Sequence, residues 1–154
     1  MIDREYPEGI DCVWLASDSR GSVAAFVTAG VGPIPVSALN HQRFSMCDTE
    51  KLINDLPVVS GVQLLISVKR PDDFVAIAER GLFVYDWRDA HRTEREATRV
   101  YELVAIPEKP IEVRALSELL AGLASVVKLG DEISVGAPEL DVCADAACSR
   151  GAEV

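Results

Sequence analysis

Positive charge is scarce in this chain. Fifteen Lys and Arg stand against 25 Asp and Glu, which gives a formal net charge of -10 and an isoelectric point near 4.6. Phosphate contacts need a surplus of basic side chains, so unaided nucleic-acid binding is not expected, and a polybasic membrane-surface role is disfavoured for the same reason. Long apolar runs are missing too, and no stretch is suited to span a bilayer. The first ten residues carry Asp3, Glu5 and Glu8 with no apolar core of a secretory signal, so a cytoplasmic location is expected. Metal ligands are few. His41 and His91 are the two histidines, and both lie far in sequence from the Cys143-x4-Cys148 pair, so neither a metal nor a cofactor is expected. The four cysteines, Cys12, Cys47, Cys143 and Cys148, read as free thiols, with Cys12 inside an apolar run as a small core residue. The chain also lacks a complete phosphate-binding glycine pattern. Gly30-x-Gly32 has no third glycine and is followed by Pro33 and Pro35, so it reads as a turn.

What is present is an ordinary globular balance, 49% apolar and 26% charged with mean hydropathy +0.15, which argues against disorder. A length of 154 residues fits one domain, expected over residues 1–135, with a loosely held acidic tail over 136–154. Asp11–Ser17 and Ser22–Ala29 are apolar strands around the turn-forming Asp18-Ser19-Arg20-Gly21, a first hairpin. Asp48 is placed to cap a helix running to Leu56, and Val62–Val68 alternates as a strand. Pro71 opens a helix with Asp72 and Asp73 in its first turn and Gly81 as its stop. Leu82–Trp87 and Val100–Ile106 form a second hairpin with a long charged connection. Leu116, Leu119, Leu120 and Leu123 share one helical face, and 126–129 and 133–135 are weaker strands. Hairpins with helices between them, and no regular βαβ repeat, predict an α+β fold: a mostly antiparallel sheet with about three helices packed on it.

The densest set of chemically capable side chains is Asp86-Trp87-Arg88-Asp89-Ala90-His91-Arg92. Asp86, Asp89 and His91 could serve as an acid/base set, because histidine exchanges protons near neutrality. No nucleophile elbow, zinc-protease helix or Cys–His context accompanies them. The same residues read first as a polar hairpin connection with an aromatic anchor, and next as a recognition loop on a rigid scaffold, ahead of catalysis. Arg88, Arg92, Arg95 and Arg99 are interleaved with Asp89, Glu94 and Glu96, which makes a nearly neutral mixed-charge face rather than a basic patch. The acidic surplus gathers instead at the two ends, with a balance of -3 over 1–11 and -5 over 131–154. That serves solubility, or docking of a basic partner.

Asp11–Pro35, and Gly81–Arg92 with Tyr101-Glu102-Leu103-Val104, resemble two blocks of bacterial immunity proteins found with polymorphic toxins and contact-dependent growth inhibition systems. Nothing beyond Arg114 contributes to the resemblance. It implies an inhibitor, not an enzyme, that binds and blocks a cognate toxin domain. With no secretory signal and a net charge of -10, the expectation becomes a cytoplasmic protein that occludes the active site of a basic toxin, such as a nuclease. Trp87, His91 and Arg92 would then be the centre of the contact, with Asp86, Asp89 and Glu94 around it. The alternative is a small enzyme or ligand-binding domain built on Asp86, Asp89 and His91, which requires the three to converge in a pocket. A structural subunit of a homo-oligomer is a third reading.

Overall fold

Strands whose two faces are both apolar must be covered on both sides, and that condition governs this architecture. The computed structural model describes residues 6–7, 9–40, 48–68, 71–130, 132–144 and 146–150. His41 and Cys47 lie outside them, as do Asp3, Glu5, Glu8, Asp131, Asp145 and Glu153 of the acidic ends.

The fold is α+β and mostly antiparallel. β1 (Val13–Ser17) and β2 (Val23–Val27) pair antiparallel, and every residue of both is buried. Their turn is held by Asp18, whose carboxylate accepts from the Arg20 and Ser22 amides at 2.9 and 3.1 Å, while Gly21 takes φ +82°. β5 (Phe83–Asp86) and β6 (Tyr101–Pro107) form the second antiparallel pair, with a bulge that gives β6 an extra residue at Val104. β4 (Val62–Leu64) adds to the far side of β6, so the main sheet runs β1-β2-β5-β6-β4. β4 is shorter than its alternation predicts, because the ladder reaches the bulge where the Leu65 amide meets the Val104 carbonyl. One pair departs from the hairpin pattern: β2 and β5 run parallel, so the chain crosses over between them.

The crossover carries β3 (Ile34–Pro35), α1 (Val36–Asn40), α2 (Thr49–Asn54) and α3 (Asp72–Ala78), and α4 (Glu118–Val126) follows the sheet. α1 is a helix that the aperiodic stretch after Pro35 does not announce. Asp48 itself sits in helical conformation, with no side-chain cap bond. α3 ends as expected on Gly81, at φ +97°. α4 starts later than the leucine spacing suggests. Ser117 caps it through the Leu120 amide, Leu116 belongs to the turn before it, and Leu119 is exposed. None of the described helices is long and apolar enough to cross a membrane.

Alternation along the strands sorts the core into two layers. Val13, Leu15, Val23, Ala25, Val27, Val84 and Val104 face Ile53 of α2, Ile77 of α3, and Leu120 and Leu123 of α4. The opposite face presents Trp14, Phe26, Tyr85, Trp87 and Tyr101. Trp14 stacks on Phe26 at 4.1 Å between centroids, Phe26 stacks on Tyr85 at 5.1 Å, and Tyr101 meets Trp14, Phe26 and Trp87 edge-on. Gly32 lies against this layer, where a β-carbon would come within 2.7 Å of the Tyr101 hydroxyl.

The aromatic face is closed by the segment expected to be a loose tail. β7 (Glu139–Leu140) pairs with β6, β8 (Cys148–Ser149) pairs with β3, and Leu140 and Val142 are buried. The Tyr85 hydroxyl donates to the Ala137 carbonyl at 2.7 Å and accepts from the Gly136 amide at 2.9 Å. An irregular cover needs apolar residues only where it touches, which is why it shows no period. Nor are 126–129 and 133–135 strands. Lys128 makes an isolated parallel bridge to Ser17, and the Val135 amide is bound by Asp18.

Candidate functional site

The site residues proposed from the sequence begin at the end of β5. Alternation sends Tyr85 to the aromatic face and Asp86 to the helical face, and the Trp87 amide continues the ladder by donating to the Val27 carbonyl at 3.1 Å. Trp87 is therefore a core residue, 7% exposed and packed edge-on against Tyr101 at 5.1 Å. An exposed aromatic centre for a contact is not available there.

After Trp87 the chain takes a 3-10 turn, Arg88–His91, and then a connection that the sequence suggested was solvated. It is tied down by two carboxylates and one guanidinium. Asp89 accepts from the Thr98 amide at 3.0 Å, from the Arg99 amide at 2.7 Å and from Arg92 at 3.1 Å. Burial alone would raise the Asp89 pKa. The two amides and Arg92 outweigh it, and the net shift is downward. Arg92 also grips Glu102 of β6 through both of its terminal nitrogens, Nη1 to Oε2 and Nη2 to Oε1, the second at 3.0 Å. The Glu102 bond is the main reason its pKa is raised further. At the end of the connection Arg99 has φ +60°, a left-handed backbone that non-glycine residues seldom adopt, and the Asp89 carboxylate holds its amide.

Arg92→Ala leaves Glu102 and Asp89, both partly buried, without their guanidinium partner. The expected cost is about 1–2 kcal/mol, together with faster amide exchange at Thr98 and Arg99. Hydrogen exchange of the variant against the parent checks it. Unchanged protection at those two amides would mean that Arg92 does not order the loop.

Between this loop and the C-terminal segment lies a groove of about 840 Å³. Trp87, Asp89, Arg92 and Glu94 line it, so four of the six expected residues come together. Its remaining lining includes Arg99, Asp141, Cys143 and Arg150. Asp141, Cys143 and Arg150 escaped the sequence reading because nothing in their pattern shows that residues 136–150 fold back over the sheet. Three arginines and three carboxylates make the groove neutral in sum. Arg99 and Arg150 pair with no carboxylate among the described residues, whereas Arg92 is fully engaged.

Asp86 and His91 do not line the groove. Asp86, 8% exposed, sits at the opposite side of the turn, where desolvation by burial raises its pKa to about 6 and the charge of Asp11 adds to the rise. Arg88 and His91 oppose the shift without cancelling it. Asp11, Glu50 at the start of α2 and Asp73 at the start of α3 belong to the same end of the sheet. Desolvation raises Asp11 and Glu50 first, and Asp73 raises both further. Asp86, Asp89 and His91 thus do not converge on the groove: Asp86 is buried in a carboxylate-rich pole, with the exposed His91 near enough to act on its charge, while Asp89 is engaged by its own loop. Among the described residues, no set of three or more His, Cys, Asp or Glu is arranged to hold a metal ion. Comparisons with protein-family models, with curated proteins and with solved structures find no match to this chain.

Proposed function

We propose that the protein is an immunity protein that acts in the cytoplasm, binding the effector domain of a bacterial toxin and blocking it by occlusion. The observation that carries this reading is the preordered loop over residues 88–99. Its charges are fixed by Asp89 and Arg92, and it stands between a polar groove and a pole of crowded carboxylates. A recognition loop ordered before contact loses little conformational entropy on binding, which favours affinity. The carboxylate pole of a protein with net charge -10 favours a basic partner, and complementary charge speeds encounter with it. A toxin that acts on nucleic acid is basic at its active site, which suits this surface. The resemblance of the Asp11–Pro35 and Gly81–Arg92 blocks to immunity proteins supports the same reading.

Co-expression with the toxin domain encoded beside this protein is the test. The expected result is survival of the producing cell and co-purification of the two chains, with association slowing steeply as salt is raised. A cell that dies, with no complex recovered at low salt, rules the reading out.

A further inference from the structure

The C-terminal cover brings two cysteines back to the same spot. Cys143 follows the buried Val142, and its amide is held by the Asp141 carboxylate at 3.1 Å. Cys148 lies in β8, opposite Pro35 of β3, and the Ala147 carbonyl beside it accepts from the Val36 amide at 2.8 Å. Two separate anchors therefore fix the two ends of the intervening loop. Between them the Cys148 thiol turns back onto the carbonyl of Val142, the residue that precedes Cys143, at 3.9 Å. Both sulfurs are half-buried against the aromatic layer, and Cys143 also lines the groove. The exposure differs from that of Cys12, which is sealed in the core at 2% exposed.

We propose that Cys143 and Cys148 form a redox pair, which a low-molecular-weight disulfide such as oxidised glutathione converts into an intramolecular disulfide that locks one wall of the groove. The chemistry is two successive thiol–disulfide exchanges. The Cys143 thiolate, reached from the groove, attacks one sulfur of the small disulfide and expels its partner as a thiolate. The Cys148 thiolate then attacks the Cys143 sulfur of the mixed disulfide and expels the second small thiolate. In sum, two protein thiols lose two electrons and two protons, and one external disulfide is reduced to two thiols. Burial, first of all, raises the Cys148 pKa, and the neighbouring Cys143 adds to it, so Cys148 is mostly protonated at neutral pH. The second exchange draws on the Cys148 thiolate, so it accelerates as pH rises.

The test uses the full chain in glutathione buffers of graded oxidised-to-reduced ratio at pH 7 and pH 8.5, read by intact mass, peptide mapping and thermal unfolding. The expected product has lost two hydrogens, carries a cross-link joining the peptides of Cys143 and Cys148, and unfolds at a temperature higher by roughly 4–9 °C. Closure is expected to run several-fold faster at the higher pH. Cys148→Ser is expected to stop at a stable glutathione adduct on Cys143, while Cys143→Ser leaves Cys148 unmodified. A persistent adduct on the parent chain, a cross-link to Cys12 or Cys47 instead, or thiols that stay reduced in fully oxidised glutathione would each overturn the proposal. None of these readouts depends on a toxin partner, so the pair and the inhibitor reading can fail separately.

Discussion

Trp14→Ala is expected to cost about 3–5 kcal/mol, the range for truncating a large aromatic in a packed core. The indole is 1% exposed and lies flat on Phe26, with an interplanar angle of 9°. Its Nε1 donates to the Tyr101 hydroxyl at 3.3 Å, and that hydroxyl in turn donates to the Pro33 carbonyl at 2.8 Å. Removing the ring therefore opens a cavity against Phe26 and strips one partner from a buried hydroxyl. A chain of this size has about 5–15 kcal/mol of stability in total, so the variant is expected to melt roughly 10 °C or more below the parent. Trp14→Phe separates the two contributions. It keeps most of the stacking area and loses the hydrogen bond, at a cost of about 1–2 kcal/mol. Thermal and urea unfolding of both variants measure the difference. If Trp14→Ala loses less than Trp14→Phe, the stack does not hold this layer together.

Asp86→Asn is expected to act in the opposite direction. The Asp86 pKa stands at about 6 in the folded protein, against 3.8 for an unperturbed aspartate. Between those values the folded state binds more protons than the unfolded one, so stability falls as pH rises through this window. Below about pH 4 the carboxyl is neutral in both states and costs nothing; above about pH 6 its burial as an anion costs about 3 kcal/mol. Asparagine keeps the shape without the charge. The variant is expected to be more stable than the parent at pH 7.5 by about 2–3 kcal/mol, and to match it near pH 4. Denaturant unfolding of both proteins across pH 4–8 gives the difference curve, which should rise through pH 5–6. A flat difference would mean that water or a cation already relieves the anion. A basic partner side chain placed at this pole would lower the Asp86 pKa, so complex formation below pH 6 is expected to release a proton.

The parts of this molecule that were legible in its sequence are those with a repeating physical constraint. β1, β2 and β5 are apolar runs bounded by turn chemistry at Asp18 and Gly81, and they sit where the pattern puts them. Leu120 and Leu123 face the core as the spacing requires. Leu119 does not, because the cap at Ser117 sets where the helix begins and so which stripe turns inward. The parallel β2–β5 pair and the cover over residues 136–150 rest on contacts between distant segments that carry no local signal. The sequence reading assigned Asp86, Trp87, Asp89, His91, Arg92 and Glu94 to one surface, and the structure divides them. A period of two along β5 already separates Asp86 from Trp87, and the turn at Arg88–His91 separates Asp89 from His91. Arg99 looked like one more loop charge. It also carries a left-handed backbone angle, with its amide held by the Asp89 carboxylate.

The closing of the aromatic face also has a temporal side. β1, β2 and β5 leave the ribosome well before Leu140 and Val142, which cover the layer that Trp14, Phe26 and Tyr85 present. Through that interval the growing chain carries an open aromatic surface. Self-association during synthesis is therefore a hazard specific to one side of this sheet, while the other side can already close over Ile53 and Ile77.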